Sequence, residues 1–244
     1  MRKTIVVIIL IIVFKSTFAQ FSDSIHHRIA YAGTGVLNKT QTGTSYVITN
    51  ALNFNIKKKD LSVNNSNSYT FGQQEQTLTN NDFSSTLDFN LTKTFPHFYY
   101  WGLGAFDKSF SLKINNREQI GLGGAYSFVD TKDAFLNLSE GILYENSNLK
   151  LTDSTNDVYH TPRNSFRLRY HFAFKNNLLV LDGTDFLQNS LAYGNDYIIK
   201  LVNTATLKLN KWLGLTTALN YNKVQRTKSE TLLITFGLSA EKYF

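Results

Sequence analysis

The side chains able to do chemistry are few and scattered. The five His are His26, His27, His97, His160 and His171. His26 and His27 are adjacent, so in an extended chain their rings point to opposite faces and do not share a metal ion. His97 follows Pro96 in a turn, and His160 lies in a polar stretch. Only His171 shares an alternating face with other polar groups, namely Ser165, Arg167 and Arg169. No Ser, His and Asp are spaced as a hydrolase constellation, and the absence of Cys removes thiolate metal sites, cysteine nucleophiles and disulfides. Gly121-Leu122-Gly123-Gly124 has the composition of a phosphate-cradling loop, but such a loop follows a strand and opens a helix. Here it lies inside an extended run, where small residues relieve crowding. Asp153 and Asp157 lack the regular Asp, Asn and Gly spacing of a Ca²⁺ loop. The reading is a chain that is not an enzyme and that takes no cofactor and no metal.

The charged residues that remain need elements to position them. Period-two alternation dominates the chain. Phe166, Leu168, Tyr170, Phe172 and Phe174 share one parity, and Ser165, Arg167, Arg169, His171 and Lys175 the other. Tyr46, Ile48, Leu52, Phe54 and Ile56 alternate with Ser45, Thr49, Ala51, Asn53 and Asn55, and Phe83, Leu87, Phe89 and Leu91 with Ser84, Thr86, Asp88 and Asn90. Twelve such strands are read: 27–37, 43–56, 60–73, 80–92, 97–110, 118–130, 133–145, 163–175, 178–188, 196–209, 212–222 and 230–244, with ten as the alternative. They exceed the usual five or six residues of globular strands and match the roughly nine to eleven that cross a bilayer at a tilt. The breaks alternate in size, tight at Lys57–Lys59, Thr131–Lys132, Asn176–Asn177 and Asn210–Lys211, and longest at Asn146–Pro162. Short turns at one end and long loops at the other mark an outer-membrane barrel.

The start of the chain supports export. Arg2 and Lys3 precede the apolar run Ile5–Phe14, and Thr17-Phe18-Ala19 supplies small residues for cleavage before Gln20. Residues 1–19 therefore read as a signal peptide and 20–244 as the barrel. Of the net charge of +7, Arg2, Lys3 and Lys15 carry three, so the mature chain holds +4. Its compact basic cluster, Lys57-Lys58-Lys59, is a turn rather than a stripe for nucleic acid. Phe98, Tyr99, Tyr100, Trp101, Trp212 and Phe174 flank short turns and read as an interfacial girdle. Phe236, Leu238 and Phe244 share a parity on the last strand, which resembles the C-terminal signal recognised by the barrel-assembly machinery.

Several segments resemble a domain-of-unknown-function family, the putative salt-induced outer-membrane proteins. They are Lys39-Thr40-Gln41-Thr42-Gly43-Thr44, Arg117 with the Gly-rich stretch ending at Tyr126, Leu138–Glu145, and Ser165–Tyr170. The resemblance spans nearly all the mature chain and implies an outer-membrane barrel without a settled activity.

The expected fold is all-β, a transmembrane antiparallel up-and-down β-barrel in the outer membrane of a Gram-negative bacterium. Its partners are outer-membrane lipid, the assembly machinery and an unassigned small solute or external ligand, and it is a monomer. Arg117, Glu118, Arg167, Arg169, His171 and Asp88 are the candidates to line a polar, narrow or plugged lumen. The Arg residues either favour anions or pair with Asp88, Glu118 and Glu145, and the expense of an uncompensated buried charge favours pairing. Three functions follow: a structural or transport barrel, a binding module acting through exterior loops, or a soluble lipocalin-like carrier with an apolar interior.

Overall fold

The computed structural model of the chain describes residues 27–244 apart from 96, 132 and 153. The expected signal peptide, His26, and the side chains of 93–96 lie outside the described residues. Twelve strands follow one another: β1 (His27–Lys39), β2 (Thr44–Lys58), β3 (Leu61–Gln74), β4 (Thr77–Phe95), β5 (Phe98–Ser109), β6 (Ile114–Asp130), β7 (Ala134–Lys150), β8 (Asn156–Phe174), β9 (Leu179–Ser190), β10 (Tyr197–Lys208), β11 (Leu213–Val224) and β12 (Ser229–Tyr243). Each pairs antiparallel with its neighbours in sequence, and β1 pairs with β12 from Arg28↔Tyr243 to Gly35↔Phe236, closing the barrel. Phe244 continues this seam: its backbone exchanges two hydrogen bonds of 3.0 Å with His27, and the two rings stack.

The two faces follow the alternation. Ile120, Leu122, Phe128, Leu232 and Phe236 project outward and are 59–72% exposed. Exposed apolar side chains on every strand form a contiguous belt, which water does not tolerate and lipid does. The chain is thus an outer-membrane barrel, and a soluble carrier with its apolar face inward is not what the structure forms. Polar groups on the belt satisfy one another: Tyr31 donates to Asn50 at 2.5 Å, Tyr170 to Asn203 at 2.6 Å, and Asn203 to Asp185 at 3.0 Å.

Three expectations change. The stretch Asn146–Pro162 is not a long loop, because β7 and β8 stay paired out to Lys150↔Asn156 and leave only 151–155 as a connection. Alternation persists there, with Leu149 and Tyr159 inward and Val158 outward, but the intervening Asn, Ser, Asp and Thr hide it. The β3–β4 connection is the pair Glu75-Gln76, both at positive φ, a tight turn made without the Gly that usually announces one. Tyr99 and Trp101 do not join the interfacial girdle. They have the inward parity of β5 and are buried, whereas Tyr100 on the other parity is exposed.

Trp101 explains the glycines. A Cβ on Gly123 or Gly141 would collide with its ring and with the facing backbone. Gly141→Val should therefore lower stability by about 1–3 kcal/mol, the usual cost of overpacking. Urea titration of the protein folded in lipid, with heat-modifiable gel mobility as the readout, checks this.

Candidate functional site

The ladder registers bring inward-facing charges from distant parts of the chain into one interior. Glu145 on β7 is the hub of the network farthest from the chain termini. Arg163 on β8 reaches it with Nε at 2.8 Å and Nη2 at 3.0 Å, and neither side chain has measurable solvent exposure. Tyr159 donates to Glu145 at 2.6 Å, Gln119 at 2.6 Å and Ser147 at 2.9 Å. Arg117 lies 3.6 Å away. Arg163 also bonds Asp196 at 2.9 Å, which turns the connection 191–196 inward over the barrel mouth. Arg226, in the turn after β11, sits 3.9 Å from the Tyr159 ring centre and 4.7 Å from that of Tyr193. It donates to Asp157 at 2.5 Å, and that hydrogen bond raises its pKa, so the clasp stays charged.

Two inward positions closer to the termini along β8, Arg167 crosses to pair with Asp88 on β4. Its guanidinium is 4.9 Å from the Trp101 ring centre and 5.8 Å from that of Phe186. Lys200 on β10 reaches Ser84 on β4 at 3.1 Å and Asp107 on β5 at 3.5 Å. Strands β4 and β10 are opposite one another in the ring of twelve. A circular twelve-stranded barrel would hold them about 20 Å apart, from strand spacing and tilt. One Lys and one Ser span far less, so the barrel is flattened along this line.

The flattening divides the interior. Inward residues of β5–β8 are packed: Tyr99, Trp101, Leu103, Ala125 and Leu143 form an apolar cluster, and Ile114, Leu149 and Tyr159 a second that Val224 of β11 joins. Between Lys200 and the Arg28–Glu241–Lys208 cluster near the chain ends, the wall from β10 through β12 to β3 carries small neutral residues, among them Thr204, Ala218, Thr34, Ala51 and Ser68. Inward-facing Val36 and Val202 keep 41% and 37% exposure there, so this half is not filled by side chains.

Of the residues expected at the lumen, Asp88, Arg117, Arg167, Arg169 and His171 face inward. Asp88 pairs with Arg167, Arg117 lies beside Glu145, and His171 is 2.7 Å from Asp182. Arg169 lies over the Phe135 ring at 5.6 Å. Glu118 is a correction: adjacent to inward Arg117 in a strand, it takes the opposite parity and is exposed on the outer face beside Asn146. Phe236, Leu238 and Phe244 are exposed, the first two on the outward face of β12. The sequence reading passed over Arg163, Asp196 and Arg226. Arg163 shares the parity of Arg167 and was legible by that signal, whereas the other two sit in connections where parity gives no guide.

No protein-family profile matches the chain, and no curated protein sequence does. Among solved structures, the chain is similar to the NanC porin at 10% identity, covering 88% of this chain and 99% of that one with a TM-score of 0.51. It is also similar to the translocator domain of the autotransporter NalP from Neisseria meningitidis, at 11% identity over 91% and 90% of the two chains with a TM-score of 0.49. A third is an outer-membrane channel from Pseudomonas putida F1, at 10% identity over 95% and 100% with a TM-score of 0.46. The likeness to NanC is one of fold: a closed antiparallel outer-membrane barrel.

Removing one side of the central pair leaves the other charge buried. Arg163→Met should lower stability by about 3–5 kcal/mol, and Arg163→Met with Glu145→Leu by clearly less than Glu145→Leu and Arg163→Met summed. Urea midpoints of the four proteins in lipid check this.

Proposed function

We propose that this protein is a porin-like pore through which small polar solutes cross the outer membrane. The observation that supports it most is the unequal interior: one half is packed and braced, while the other is walled by small side chains such as Thr204, Ala218, Ala51 and Ser68 that are only half-buried, with Ser66, Val36 and Val202 exposed among them. A barrel needed only as a structural unit gains nothing from leaving half its interior unfilled, since filling it would add dispersion contacts. The braced half keeps the open half from collapsing, through the Lys200 and Arg167 crossings. Binding through exterior loops has less to support it, because the connections are short and the longest, 191–196, is folded inward by Asp196.

The remaining expectations belong to this reading. Residues 1–19 act as the export signal, the chain ends face the periplasm, and Phe236, Leu238 and Phe244 supply the signal read by the assembly machinery. The barrel works as a monomer. The motif resemblance makes it a distant relative of the salt-induced outer-membrane family.

Planar-bilayer recording of the purified protein tests the pore. Wild type is expected to show steady single-channel conductance. Ser66→Trp and Val202→Trp, both on the open wall, should reduce it several-fold without changing heat-modifiable mobility. A protein that folds in the bilayer and conducts no ions would overturn the reading.

A further inference from the structure

The seam between β1 and β12 is shorter than the strands it joins. Its register runs from Arg28↔Tyr243 to Gly35↔Phe236 and stops there. β1 stays paired with β2 as far as Lys39↔Thr44, and β12 with β11 as far as Val224↔Ser229. His27 and Phe244 exchange two backbone hydrogen bonds, so every second residue of β1 should be bonded across the seam. The next pairs in this register, Leu37 with Ile234 and Lys39 with Leu232, are not formed. Directly before the split the strands are tight. A Cβ on Gly237 would collide with the Gly33 carbonyl and with Thr34, and the Thr235 hydroxyl donates to that of Thr34 at 2.8 Å. Beyond Gly35, toward the end opposite the chain termini, β1 and β12 part.

The tip of the β11–β12 hairpin accounts for the split. It leans across the interior, where Val224 packs with Ile114, Leu149 and Tyr159 and Arg226 donates to Asp157 on β8 at 2.5 Å. β12 follows its hairpin inward, while β1 stays with β2. The gap lies at the level of hydrocarbon, because its outer lips are Leu37, Leu232 and Ile234, which are 69%, 63% and 45% exposed. Its inner lips are apolar too: Val36 is 41% exposed and Leu233 is half-buried. Backbone without ladder partners is tolerated at membrane depth only where protein or water covers it, and here it borders the open half. The inward wall beside the gap is polar and neutral, with Asn38, Asn220, Asn222 and Thr231. Lys200, in register with Asn222, is turned away across the barrel to Ser84 and Asp107.

From the missing rungs, the apolar lips on both faces and the neutral polar wall behind them, we propose that the split seam is a lateral passage between the open half and the bilayer. It takes a single-chain amphiphile with an uncharged hydroxylated head, of the monoacylglycerol class. The chain passes between Val36 and Leu233 into lipid, and the hydroxyls of the head meet the side chains of Asn220, Asn222 and Thr231. Only two hydrogen-bonded rungs are missing, which suits one acyl chain rather than two. The inference goes beyond the pore reading: it uses the open half but does not require conduction along the barrel axis.

Photolabelling tests this in the full-length protein folded in lipid vesicles, with a monolauroyl glycerol that carries a diazirine in its chain and with peptide mapping as the readout. Label is expected on inward Val36 and Leu233 at least tenfold above inward Val202, which lines the open half on β10, away from the seam. Val36→Trp, confirmed as folded by heat-modifiable mobility, should lower the label on Leu233 several-fold and leave that on outward Leu122 unchanged. Equal label on Val36 and Val202, label confined to outward residues, or undiminished label on Leu233 in Val36→Trp would overturn the passage. The expected labelling in a protein that conducts no ions would uphold the passage and remove the pore. Conductance with label on the outer face alone would do the reverse.

Discussion

A backbone amide left unpaired in hydrocarbon costs several kcal/mol, and every other feature of this molecule follows from avoiding that cost. Eleven hairpins pair each strand with the next, and the seam between β1 and β12 removes the last two edges. Once the ladder is closed, side-chain direction is no longer free. Each strand presents alternate residues to lipid and to the interior, so Phe166, Leu168 and Tyr170 look outward because Arg167 and Arg169 look inward. The terminal Phe244 completes the last rung against His27 and adds its ring to the seam.

The same closure creates an interior that has to be stabilised by polar means. Ionised groups there are tolerated where several donors meet one carboxylate. Glu145 receives hydrogen bonds from Arg163, Tyr159, Gln119 and Ser147 and has Arg117 close by. That concentration of donors lets β6, β7 and β8 pack as densely as a soluble core, with Trp101 lying over Gly123 and Gly141. The remaining arc gathers its charges near the chain ends, where Arg28 and Lys208 meet Glu241, and its other inward side chains are mostly small. Lys200 and Arg167 brace the flattened section, so density on one side and open space on the other are two results of one arrangement.

Much of this was legible in the residues. The alternation of β2, β4 and β8 marks strands and their lipid faces, and the pairing of Arg167 with an acid follows from the cost of a lone interior charge. The failures have particular physical causes. Asn146–Pro162 reads as a loop because polar residues with low strand propensity continue the ladder beyond the lipid belt, where no apolar face is required. Glu118 was grouped with Arg117 for its charge, although strand geometry sends adjacent residues to opposite sides. Tyr99 and Trp101 were placed at the interface for their type, while their parity places them in the core.

The sequence by itself determined the strands, the two faces of each and the antiparallel order, while leaving ten or twelve strands open, because a period of two and short connections are local properties of the chain. Only the tertiary structure decided which inward residues meet. Arg167 and Asp88 are four strands apart and Lys200 and Ser84 six, and their contact depends on how far the closed ring is flattened. That shape is set by all the interior side chains packing together, so no local stretch of sequence encodes it.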